Sequence, residues 1–148
     1  MPTTSADFLT HALAALLTSP GPADRPRRRI FPGDPAQVGH ARRFVQQALA
    51  AHGAATDAAL LTSELATNAI QHTATGQGGT FEVIVCQRPA TVRIAVLDGG
   101  SPAIPAPAAG QGLRTSGRGL TLVDALARQW GQHGNQHGRA VWFELGAE

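Results

Sequence analysis

The sequence predicts an α+β domain, a two-layer sandwich with helices on one face of a mixed sheet. Three observations carry that expectation. FEVIVCQ at 81–87 alternates apolar and polar residues as a half-buried strand. TVRIAVLD at 91–98 follows after a short reversal, Arg88-Pro89-Ala90, as its hairpin partner. Before both lie two longer stretches with apolar residues at helical spacing. Helices and strands thus come in blocks rather than in strict alternation, the ordering of the α+β class.

Taken in order, residues 1–26 begin with a short Ala/Leu segment, Asp7 to Thr18, which is too short to hold a helix alone. A Pro/Gly/Arg linker follows, so residues 1–26 are expected to be a flexible extension and residues 27–148 the folded domain. A first strand is expected at Arg28 to Phe31. Asp34 before Pro35 then marks a helix start, with the carboxylate as N-cap and proline in the first turn. Val38, Ala41, Val45, Ala48 and Leu49 form its apolar stripe, and Gly53 ends it. The second helix is expected to start after Thr56 or Asp57 and to run through His72, where TATGQGG turns the chain. Beyond the hairpin, Gly99 to Gly117 is aperiodic and rich in glycine and proline, the signature of a functional or disordered loop. SGRGLTLVDALARQWG reads as a glycine turn feeding an amphipathic helix, and RAVWFEL as a closing strand, alone or as part of a final hairpin.

Composition removes several functions. The chain has 148 residues, enough for one domain with an ordinary core. All 12 of its basic residues are arginines. Without lysine there is no P-loop and no Schiff-base catalysis. Any phosphate must be met by arginine, a metal, backbone amides or a helix end. The net charge is only +2, and the densest basic run, RPRRR at 25–29, is expected to lead into an edge strand rather than to bind nucleic acid. The single cysteine, Cys86, excludes an internal disulfide and a four-cysteine zinc site. No apolar run approaches the roughly 20 residues of a membrane span, and the first residues lack a basic leader, so a cytoplasmic location is expected.

ELATNAIQH, Glu64 to His72, is the informative stretch. At about 100° per residue, with Leu60 at zero, Glu64 falls near 40°, Asn68 near 80° and His72 near 120°, among Leu61 and Leu65. The polar residues therefore lie toward the core or a cleft, where an unpaired carboxylate costs several kcal/mol. Two arrangements satisfy that placement: a buried internal hydrogen-bond network, or a cleft in which Glu64 and Asn68 meet a ligand. Two weaker signals accompany it. In LDGGSP, Asp98 ends a strand and is followed by glycines, an arrangement suited to an exocyclic amine with Gly100 admitting a close approach. In GRGL, Gly117 and Gly119 precede a helix and expose amides to phosphate.

In this order, ELATNAIQH, DGG and GRGL resemble the three nucleotide-binding boxes of the GHKL superfamily, which groups gyrase-type ATPases, a heat-shock chaperone, histidine kinases and mismatch-repair proteins. The tighter resemblance is to the small anti-sigma-factor serine/threonine kinases, through RRIFPGDPAQVGHARRFV, the ELxTNAxxH helix, GRGLxLV…WG and the GxxVWFEL strand; it covers about Arg28 to Leu145. It implies the two-layer fold of that superfamily, with ATP and Mg2+ as cofactors. By resemblance Asn68 is the magnesium ligand and Glu64 the general base. Asp98 reads the adenine, Gly100 lets the base approach, and Gly117, Arg118, Gly119 and Leu120 form the phosphate turn. Gly99 to Ser116 becomes the ATP lid, with Arg114 and Arg118 as phosphate partners, while His72 closes the pattern or simply packs. The family carries a threonine two residues after the glycine of the last motif, where GRAVW has Ala140. Loss of that hydrogen bond is worth about 1 kcal/mol, which weakens binding without abolishing it.

The resemblance further implies a homodimer that sequesters a sigma factor and phosphorylates an anti-anti-sigma partner, with no direct contact to nucleic acid or membrane. A non-catalytic ATP-binding regulator and, ranked lowest, a nucleic-acid module built on Arg25 to Arg29 are the alternatives. His133 and His137 share the spacing of a helical zinc pair but lack further ligands, and Trp130 and Trp142 are expected to fill core.

Overall fold

The computed structural model describes residues 26–100, 120–135 and 137–146. Five strands form one sheet in the order β1-β2-β3-β5-β4. They are β1 (Arg27–Pro32), β2 (Thr80–Gln87), β3 (Thr91–Asp98), β4 (Gln129–Asn135) and β5 (Gly138–Gly146). The helices are α1 (Val38–Ala48), α2 (Ala55–His72) and α3 (Leu120–Leu126). This is the expected α+β class. The sheet itself is antiparallel at every pairing rather than mixed. Its hairpins explain the difference: β2 and β3, like β4 and β5, follow one another directly, and β5 lies between β3 and β4, so strands that run the same way never touch.

Period-two alternation separates the two faces. On one, Phe81, Val83 and Val85 of β2 join Ile94 and Val96 of β3 and Val141 and Phe143 of β5, all essentially without solvent exposure. Ala41 and Val45 of α1 and Leu61 and Leu65 of α2 complete that core. Phe31 stacks on Phe81 with centroids 5.3 Å apart and meets Phe44 edge-on at 6.0 Å. Burying each such side chain contributes roughly 1.5–3 kcal/mol. The opposite face holds a smaller cluster, Ile84, Cys86, Ala95, Leu97 and Ala140, with Trp142 against it. Burial pushes the Cys86 thiol up from its ordinary range.

Helix starts follow the local chemistry. Asp34 accepts from the Ala36 amide at 3.0 Å and caps a short 3-10 turn, Pro35–Gln37, that leads into α1. The start of α2 lies upstream of Thr56 and Asp57, at Ala55, with no side-chain cap. There the His52 ring accepts from the Ala54 amide at 3.1 Å, and buried Ala54 and Ala58 draw the first turn into the core.

The larger departure follows α3. The helix expected through Gly131 stops at Leu126, and Gln129–Asn135 is strand β4. The Arg128 amide leaves the helix to donate to the Glu144 carbonyl of β5 at 2.9 Å. Trp130 then enters the core opposite Phe143, its Nε1 donating to Asp124 at 3.0 Å. Gly131 lies under Trp142, where a Cβ would come within 2.9 Å of the indole nitrogen. His133 and His137 therefore lie on a strand and its turn, where helical zinc spacing has no meaning, and the described residues contain no cluster of three or more metal-ligating side chains.

The described part of the basic run is used within the edge strand. Arg28 pairs with Glu82 at 3.0 and 3.2 Å, and the Arg29 guanidinium lies 5.3 Å from the Phe31 ring. Among the described residues no helix is long and apolar enough to cross a membrane. Leu61 is fully buried between the layers, so Leu61→Ala is expected to lower unfolding free energy by about 2–5 kcal/mol in urea titration.

Candidate nucleotide site

The α2 face follows the helical wheel. Leu60 is 40% exposed, Glu64 is half-buried, Asn68 is 7% exposed, and Leu61 and Leu65 are buried. Only His72 departs, because it is the last helical residue and is exposed. Other buried polar side chains of this helix satisfy themselves on its backbone: Thr62 donates to the Ala58 carbonyl at 2.7 Å and Ser63 to that of Leu60 at 2.8 Å. Among the described residues, no hydrogen bond or ion pair takes the side chain of Glu64 or Asn68. An internal network, the first of the two arrangements open to this face, has no partner there, which leaves the two groups available to a ligand.

The end of α2 is tied directly to the end of β3. Thr73, the C-cap, donates to the Ala69 carbonyl at 2.6 Å and accepts from the Thr75 amide at 3.1 Å. Thr75 Oγ1 donates to the Thr80 carbonyl at 3.0 Å and accepts from the Gly99 amide at 2.9 Å. The Ala74 amide donates to the Gly100 carbonyl at 2.9 Å. Gly76 is required at this junction, since a Cβ there would meet the Ile70 carbonyl oxygen at 2.0 Å. Gly100 takes φ +71°, which favours glycine and keeps the chain beyond Asp98 bare. Thr73 and Thr75 escaped the sequence reading. The only signal for them was a threonine every second residue directly after the helix.

Asp98 ends β3 on the face toward α2 and is buried. Its Oδ1 accepts from the Gly100 amide at 2.8 Å. Its Oδ2 accepts from Arg139 Nε at 2.9 Å and Nη2 at 2.8 Å. Burial pushes the carboxyl above its ordinary range, against the pull of the Arg139 charge and the two sets of hydrogen bonds. Arg139 was also missed. Strand register supplies the reason: β3 and β5 pair Asp98 with Arg139 and Leu97 with Ala140. Ala140 thus belongs to the cluster on the far face of the sheet, and the residue beside the aspartate is Arg139.

Glu64, Asn68, Asp98 and Gly100 are therefore brought to one side of the sheet by α2, β3 and the threonine junction. Leu120 is the first residue of α3, which packs against α2. Gly117, Arg118 and Gly119, together with Arg114 and the expected lid, lie outside the described residues.

A helix bearing an available carboxylate and amide, fixed to a strand that ends in a buried aspartate and two glycines, defines a nucleotide-binding α+β sandwich. The chain belongs to the histidine kinase-like ATPase domain family, whose model matches residues 31–145. A comparison with curated proteins gave no match. Membership places the chain among the GHKL-type ATP-binding domains. The residues fit that cofactor: an amide oxygen at Asn68 for a hard cation, an acceptor at Asp98 for an amine, and a bare backbone at Gly100.

Thr75→Val keeps the shape of the junction and removes both of its side-chain hydrogen bonds. The expected loss is about 1–3 kcal/mol of unfolding free energy in chemical denaturation. An unchanged midpoint would mean that the junction does not hold α2 to β3.

Proposed function

We propose that the protein is a cytoplasmic, transcription-regulating anti-sigma factor that uses ATP and magnesium to phosphorylate a serine or threonine of an anti-anti-sigma partner, and that it works as a homodimer. The observation that carries this reading is the pair Glu64 and Asn68, drawn into the layer between α2 and the sheet yet left without internal partners. The kinase subtype draws its support from the sequence, through ELATNAIQH, GRGLTLV and RAVWFEL.

In this reading bound ATP would supply the phosphoryl group, with magnesium, once bound, offsetting its charge. Asn68, one turn beyond Glu64 on the same helix face, would hold the metal through its side-chain oxygen. Glu64, half-buried on that helix face, accepts the proton of the incoming hydroxyl. Asp98 and the Gly99-Gly100 backbone hold the base. Phosphoryl transfer needs positioning, charge neutralisation and a base, and little else from the protein.

Calorimetry is expected to show ATP binding that depends on magnesium, with Asn68→Ala abolishing the magnesium-dependent part. No binding at about millimolar ATP, the weak end of ordinary nucleotide affinity, would refute the site. With the γ-phosphate radiolabelled, transfer to the partner is expected to fall by about 10²–10⁴-fold in Glu64→Ala. Binding without any transfer would mark the protein as a non-catalytic regulator, and undiminished transfer in Glu64→Ala would remove Glu64 as the base.

A further inference from the structure

Arg139 stands outside every role assigned above, yet it makes the closest charged contact at the site. A carboxylate offers about four acceptor positions, two on each oxygen. In Asp98, both positions on Oδ2 are filled by the Arg139 fork, through Nε at 2.9 Å and Nη2 at 2.8 Å. One position on Oδ1 is filled by the Gly100 amide at 2.8 Å. A single acceptor position is left. Arg139 is also the charge that opposes the desolvation of Asp98. Glu64 and His72 on α2 are the other titratable groups of the described site elements, and the charge that acts on Asp98 is that of Arg139.

We propose that Arg139 is a positioning residue for nucleobase recognition: it keeps Asp98 ionised and aims its one remaining lone pair at an exocyclic amine. The proposal rests on the ATP-site reading. It adds that amine recognition belongs to the Asp98–Arg139 pair rather than to the aspartate alone. An ionised Asp98 is an acceptor only. A neutral one carries a proton donor, which repels an amine and suits a carbonyl. Base choice should therefore follow the charge state that Arg139 maintains.

The test compares ATP with inosine triphosphate, which replaces the exocyclic amine by a carbonyl and leaves the sugar, phosphates and magnesium unchanged. Affinities are measured as a function of pH, from mildly acidic to mildly basic solution. The wild type should prefer ATP by about tenfold or more throughout, as expected when a buried acceptor is left unpaired by the wrong base. Arg139→Gln, checked for folding by circular dichroism, should lose the preference at low pH and regain it as pH rises. Arg139→Lys should keep it.

An Arg139→Gln variant with undiminished preference, or with the same loss at every pH, overturns the proposal, because either result separates Arg139 from the ionisation of Asp98. If the wild type binds neither nucleotide, the ATP-site reading fails instead. Carbon-13 spectra of the Asp98 carboxyl in the wild type test the claim without ligand or variant. An ionised group at pH 7 is expected, and a protonated one would overturn it.

Discussion

The hydrogen bonds between the end of α2 and the end of β3 set the geometry on which the rest of the site depends. Glu64 and Asn68 belong to the helix, Asp98 and Gly100 to the strand and its end, and the two pairs are 30 or more residues apart along the chain. Nothing in either element alone fixes their relative height. Thr75 does so by bridging Gly99 and Thr80 through one hydroxyl, and the Ala74 amide does so by holding the Gly100 carbonyl. Thr73 terminates the helix on its own backbone at the same place. Small residues are required there because the helix end, the turn and the strand end meet at backbone contact distance.

The layer between helix and sheet holds two kinds of polar group, and they are handled oppositely. Asp98 and Arg139 are buried, paired and hydrogen-bonded, which offsets part of the cost of taking both charges out of water. Glu64 and Asn68 are placed on a buried helix face with their hydrogen-bonding capacity unspent. A structural polar network resembles the first pair; a ligand site needs the second. The far face of the sheet supplies a control within the same molecule. There Arg93 and Glu144 meet at 2.6 Å, with Gln129 on the second carboxylate oxygen at 3.2 Å.

Much of this was legible in the sequence, and the exceptions have physical causes. Strong periodicity gave α1, α2, β2 and β3, and the angular position of Glu64 and Asn68 among Leu61 and Leu65 anticipated their burial. β4 was hidden because QWGQHGN has two glycines where a strand would normally show branched residues, and only the fold reveals that Gly131 makes room for Trp142. The start of α2 was misplaced because Ala54 is drawn in by packing rather than by a capping side chain. Arg139 was missed, and Ala140 was read as a lost contact, because counting residues from a motif does not say which face a strand residue occupies. Register does, and register is a tertiary property.

The central claim is that a nucleotide lies between α2 and the end of β3. Amide resonances followed during titration with magnesium and ATP test it most directly. The account predicts that Asn68, Asp98, Gly99 and Gly100 shift together and saturate, while Cys86 and Ala95 on the far face stay in place. Shifts confined to the far face, or none at saturating nucleotide, would contradict it.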